Sequence, residues 1–218
     1  MAICCAYRKG IRALMVAYIF DTIVKRGAKA GVNPSIKKSS RDWFREQAKT
    51  VTTANPTRMI RSNAARMTDK PLIGRMYLFQ YDPKTKDKLP YYDRFPLVIP
   101  IGSNRTNGFA ASGGSFLGLN LHYLPPVLRA RLMDALYKVA STKEIDETTR
   151  LRISYNILAQ ATQYRFFKPC IKRYLISQTR SKFFYIEPTE WEMALFLPLD
   201  RFVGSTKQRI YRDSRSRI

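Results

Sequence analysis

Charge constrains this chain more than any other feature: 39 lysines and arginines stand against 16 carboxylates, a net of +23 over 218 residues. Self-repulsion of that size opposes a compact state, so a fold that carries it needs an anionic counterpart. Phosphate, an acidic protein surface or an anionic membrane would each serve. The chain is nevertheless 45% apolar and 12% aromatic, which excludes disorder throughout and allows one good-sized domain, or a domain with an arm.

The excess is uneven. Residues 1–70 hold 15 basic and 4 acidic groups, residues 71–168 hold 14 and 7, and residues 169–218 hold 10 and 5. This distribution predicts a basic N-terminal arm over 1–70, a globular domain over 71–203 and a basic tail over 204–218. Between Ala13 and Phe20 the apolar run stops at Asp21, far short of the roughly 20 residues that span a bilayer. Val16, Ile19, Phe20, Ile23 and Val24 recur at helical spacing and predict an amphipathic helix docked on protein, with no integral membrane association. Cys4 and Cys5 are adjacent and Cys170 stands alone. A disulfide framework and a structural zinc site are both excluded on that count, and a reducing compartment is expected.

Residues 25–40 read as a polar, basic linker. Ser39 or Ser40 can cap a helix running from Arg41 to about Val51, and Met59, Ile60 and Met67 mark a further helical stretch. From Gly74 to Tyr81 the pattern turns to aromatic β-formers. Phe95–Ile101 is a strand whose Pro96 and Pro100 place it at an edge or beside a bulge, and Phe116–Tyr123 is another. Pro125 and Pro126 open a helix with Val127, Leu128, Leu132, Leu136 and Val139 as its expected buried stripe. A second helix follows through Leu151, Tyr155 and Leu158, and Pro169 opens a third. Phe183–Ile186 adds a strand, and Thr189 with Glu192 forms a capping box. The class expected is α+β: a small curved antiparallel sheet or partial β-barrel, packed by C-terminal helices, with an extended basic N-terminal helical arm. No internal repeat is visible.

Catalytic chemistry finds few residues to use. No phosphate loop of the G-x-x-x-x-G-K-[ST] kind is present. Ser115 lies among Gly113, Gly114 and Gly118 without nucleophile-elbow spacing, and its base would have to be His122, the single histidine; a hairpin loop and a histidine across a sheet explain both. Asp82, Asp87 and Asp93 fall in one region, as a metal-dependent nuclease needs, but Asp-Pro starts turns and charges solvate loops. No catalytic residue, metal ligand or cofactor is assigned.

Nucleic-acid binding has more to draw on. Arg41, Arg45, Lys49, Arg58, Arg61 and Arg66 recur at three- to five-residue intervals, and Lys84, Lys86 and Lys88 form a second cluster on a loop. Each cation that neutralises a phosphate releases a counterion, which favours binding. Trp43, Phe44, Tyr91 and Tyr92 lie close by and offer stacking faces for an open or frayed end. Sequence-reading modules are missing, so backbone contacts with little base readout are expected.

The strings GRMYLFQYDPKTKDKLPYYDRFPLVIPI, FLGLNLHYLPPVLRARLMDALY, FFKPCIKRYL and EWEMALFLPLDRF, within residues 71–218, resemble the DNA end protector family of T-even-like tailed phages. The resemblance implies a non-enzymatic virion protein that binds duplex DNA ends and shields them from host exonuclease, found in the virion and the host cytoplasm. It carries no functional residues over. An alternative is a structural or assembly component of the baseplate, neck or tail hub, its arm bound to acidic neighbouring virion proteins. A lower one is a ribosome-like RNA-binding protein.

Overall fold

A computed structural model describes residues 19–35, 37–62, 64–103, 114–140 and 168–216. In chain order the elements are helix α1 (residues 19–29), α2 (Lys38–Lys49), α3 (Pro56–Ser62), strands β1 (Met67–Thr68), β2 (Met76–Leu78), β3 (Tyr92–Asp93), β4 (Leu97–Ser103) and β5 (Ser115–Asn120), helix α4 (Pro126–Ala140), strands β6 (Ile171–Leu175) and β7 (Phe183–Ile186), helix α5 (Trp191–Ala194), strand β8 (Phe202–Val203) and helix α6 (Lys207–Ser216). The expected α+β class holds.

Six strands form one antiparallel sheet in the order β1-β7-β2-β4-β5-β6, and β3 pairs with β8 in a separate two-stranded ribbon. The large sheet is open, so the partial-barrel alternative is set aside. Side-chain alternation sorts residues to its two faces. Met76, Leu78, Leu97, Ile99, Leu119, Phe184 and Ile186 belong to the main core with the helices. Tyr77, Phe79, Tyr81, Val98, Phe116, Tyr174 and Phe183 form an aromatic cluster between them on the opposite side. Phe79 is its hub, 4.7 Å from Phe183 and 5.4 Å from Tyr174 by ring centroids.

Strand β4 is central, between β2 and β5, and not an edge. The bulge alternative is the correct one: the register slips between Pro100 and Gly102, where Pro100 lacks a ladder donor and its carbonyl accepts from Gly74 N at 2.9 Å. Residues 171–175 are strand β6 rather than a helix opened by Pro169. Ile171, Tyr174 and Leu175 fit a strand because β5 pairs with all five residues of β6, a partner that local periodicity does not reveal. The capping box also moves, to Glu187 and Glu190 around Pro188. The predicted helix through Leu151, Tyr155 and Leu158 lies outside the described residues.

From residue 19 onward the N-terminal third is helical as expected but is not extended. Phe20, Ile23, Phe44, Ala48, Met59 and Ile60 lie in the same core as the sheet, and Met67–Thr68 pairs with β7. Burying the larger of these side chains, Phe20, Ile23, Phe44, Met59 and Ile60, stabilises the packed segment by roughly 1.5–3 kcal/mol each. Helix α1 runs further than the apolar pattern implies, through Lys29, and Gly31 (φ 71°) turns the chain after it. Trp43 meets Phe44 edge-on at 4.9 Å, and Phe44 is buried in the core rather than offered to bases.

Candidate nucleic-acid interface

The nine sequence-predicted cations part into two groups once folded. Arg41 and Arg45, one turn apart on α2, are buried and face carboxylates of their own chain. Arg41 Nη1 lies 2.6 Å from Asp134 Oδ1, and Arg45 reaches Asp134 at 2.8 Å and Glu192 at 2.5 Å. Burial works against the charge of Arg45, but the hydrogen bonds it donates to Glu192 and Asp134 outweigh it and hold the pKa above its ordinary value. Arg66 grips both carboxylate oxygens of Glu190 and lies 4.9 Å over the Phe184 ring. These three arginines fasten the N-terminal segment to α4, α5 and the 3-10 turn before α5.

The other six are on the surface. Lys49 pairs with Glu46 at 2.5 Å and Lys86 with Asp82 at 3.2 Å, exposed pairs of the kind that contribute little. Arg58, Arg61, Lys84 and Lys88 are exposed. Asp82 also meets Arg180 at 3.4 Å, so one carboxylate steadies the loop that presents Lys84, Lys86 and Lys88. The surface must stay strongly basic whatever the pairing, because one carboxylate for each of 16 cations still leaves 23.

Two further arginines escaped the sequence reading. Arg94 and Arg201 join Arg58 in a cleft of about 590 Å³ floored by Ala54, Met59 and Phe95. Arg201 is fixed by three carbonyls, donating to Pro198 O and Asp200 O at 2.8 Å and to Ala54 O at 2.6 Å. The signal that could have found them is a repeated triplet, Asp93-Arg94-Phe95 and Asp200-Arg201-Phe202. The copies meet antiparallel in the β3–β8 ribbon, with Asp93 opposite Phe202 and Arg94 N donating to Arg201 O at 2.9 Å.

Within this ribbon both aspartates are buried. Asp93 Oδ2 lies 2.7 Å from His122 Nδ1 and accepts from Asn120 Nδ2 at 3.2 Å; Asn120 also donates to the Tyr174 hydroxyl at 3.0 Å. Asp200 pairs with Lys207 at 2.7 Å. Burial opposes ionisation of Asp200, but His122, Lys207 and Arg129 outweigh it and hold the carboxyl below its ordinary range. Buried Arg129 donates to Leu124 O, Leu195 O and the Tyr211 hydroxyl at 2.8, 2.6 and 2.8 Å. His122 has no exposed surface, and the Ser115 hydroxyl accepts instead from Arg173 Nε at 3.1 Å. The arrangement ties β3, β8 and α6 to the core, and no substrate can approach His122 in it.

Among the described residues no group of three or more His, Cys, Asp or Glu is placed to hold a metal ion, and no helix is long and apolar enough to cross a membrane.

The fold and its surface define a class: a strongly basic α+β protein whose described cations divide between internal clamps and exposed sites. The family described as phage T4 terminal DNA protecting protein matches over residues 7–215, and the chain belongs to that family. No curated protein and no solved structure matches it.

Proposed function

We propose that this protein is a non-catalytic cap for the ends of linear duplex DNA, held there by exposed lysines and arginines with little base readout. The single observation that carries the reading is membership of a family described by protection of terminal DNA; the +23 charge agrees with it. Arg58, Arg61, Lys84 and Lys88 are the phosphate-facing members of the predicted set, supplemented by Arg94 and Arg201 in the arginine cleft. Lys49 and Lys86 follow them, since surface pairs exchange readily for phosphate. Arg41, Arg45 and Arg66 support the surface from beneath. Phosphate contacts position a protein on DNA without reading sequence, which suits a protein that meets whatever bases a terminus holds. The proposed setting is the virion with its packaged genome, then the host cytoplasm after entry.

Competition between linear and closed-circular DNA of equal length tests this. An end-binding protein saturates linear DNA at a fixed stoichiometry whatever the duplex length, and circles compete weakly. Equal competition by circles would reduce the protein to a general polyanion binder.

A further inference from the structure

A second cleft of about 590 Å³ is lined by the 81–93 segment, Tyr123 and strand β6. Its lining differs in kind from the arginine cleft: Tyr81, Tyr91, Tyr92, Tyr123 and Tyr174 supply aromatic surface, and Lys84 and Lys172 supply charge. Tyr81 and Tyr174 are walls, with ring centroids 5.0 Å apart. Their hydroxyls are engaged, Tyr81 accepting from Leu175 N at 3.3 Å and Tyr174 from Asn120 at 3.0 Å. Tyr91 and Tyr92 are only half-buried, and Leu89 beside them is 41% exposed. Tyr91 and Tyr123 stand 6.1 Å apart at 37°, and Lys172 Nζ sits 4.2 Å above the Tyr123 ring.

Most of the described aromatic side chains lie in or pack against the two hydrophobic clusters. Here half-exposed tyrosines border a hollow in the size range of small-ligand sites. The one carboxylate among the lining residues is Asp93, which is 3% exposed and engaged by His122 and Asn120. Lys84 and Lys172 repel a cationic guest, and a purely apolar guest would leave that charge unused. A flat aromatic ring carrying a phosphate satisfies both halves of the lining, by stacking on tyrosine and by charge pairing at the rim.

We infer that this cleft receives an unpaired nucleotide at a DNA terminus, its base against Tyr91 and Tyr92 and its phosphate toward Lys84 and Lys172. The inference rests on the end-binding reading and adds to it that a frayed or overhanging end is preferred over a flush one.

The test uses the full chain and two duplexes of one sequence, one blunt and one with a short overhang carrying 2-aminopurine at an unpaired position. Binding quenches the 2-aminopurine and favours the overhang; Tyr91→Ala removes the quenching and weakens overhang binding about tenfold, as loss of one stacked base does. Tyr91→Phe keeps both. Because Tyr91 also packs against the core, Lys172→Gln serves as a second variant that leaves Tyr91 itself in place, and it too lowers the overhang preference. Equal affinity for the two duplexes with unchanged fluorescence overturns the inference and leaves the end-binding reading standing. Binding to neither duplex overturns both.

Discussion

Arg45 and Glu192, 147 residues apart in sequence, meet in a two-point ion pair, Nε to Oε2 at 2.5 Å and Nη2 to Oε1 at 3.0 Å. Both are buried, and the contact joins α2 to α5. A chain with a large positive surplus thus invests scarce carboxylates in holding its N-terminal segment down. Desolvating a pair is costly, so its removal one side at a time hurts most. Arg45→Ala is expected to destabilise by about 3–5 kcal/mol, and Arg45→Met with Glu192→Leu by less than the sum of the singles. Urea denaturation of the four-member cycle measures it; additive losses would mean that the pair is not coupled.

Gly118 lies in β5 where a Cβ would stand 2.3 Å from Val98 Cγ1. Val98 is fully buried, so the clash cannot be relieved by turning the side chain into solvent. Gly118→Ala is expected to cost about 1–3 kcal/mol, as overpacking does. Adding Val98→Ala should recover part of that loss in thermal melts.

How much of this is legible in sequence differs by element. Strand β7 and the start of α4 are local matters of alternation and proline and can be read directly. The prolines of β4 suit an edge or a bulge, and only its place between β2 and β5 decides. Strand β6 passes for a helix in the sequence because its pairing with β5 is a non-local fact. The cations show the same division. Arg41 and Arg45 have helical spacing that suits either a DNA-facing stripe or a buried clamp, and only the positions of Asp134 and Glu192 decide between them. Lys84, Lys86 and Lys88 are readable as exposed because a Pro-initiated loop leaves them nowhere else to go. Arg94 and Arg201 are hidden as single residues, although their shared Asp-Arg-Phe context is on view.

The pH response follows from Asp200. Its folded pKa is depressed below the ordinary 3.8, so its ionised form contributes stability fully present above that value and lost as pH falls through the folded pKa. The stability difference between the wild type and Asp200→Asn should therefore be constant near neutrality and shrink below about pH 3.8. Chemical denaturation from pH 7 to pH 2.5 reads it, and a difference that grows on acidification would reverse the sign.

The exposed cations make a separable prediction. Alanine at Arg58, Arg61, Lys84 or Lys88 should each lower the slope of log K against log salt by about 0.9, the value for a side chain that neutralises one phosphate. Arg41→Lys, beneath the surface, should leave the slope unchanged while lowering the melting temperature. Fluorescence anisotropy across a salt series separates the two groups, and a reduced slope for Arg41→Lys would move that residue to the interface.

Digestion of blunt linear DNA by a processive exonuclease, with and without the protein at physiological salt, goes to the centre of the account. Protection that saturates with the number of ends, and weakens when Arg58 and Lys84 are replaced together, is the predicted result. Identical digestion with and without the protein would contradict it.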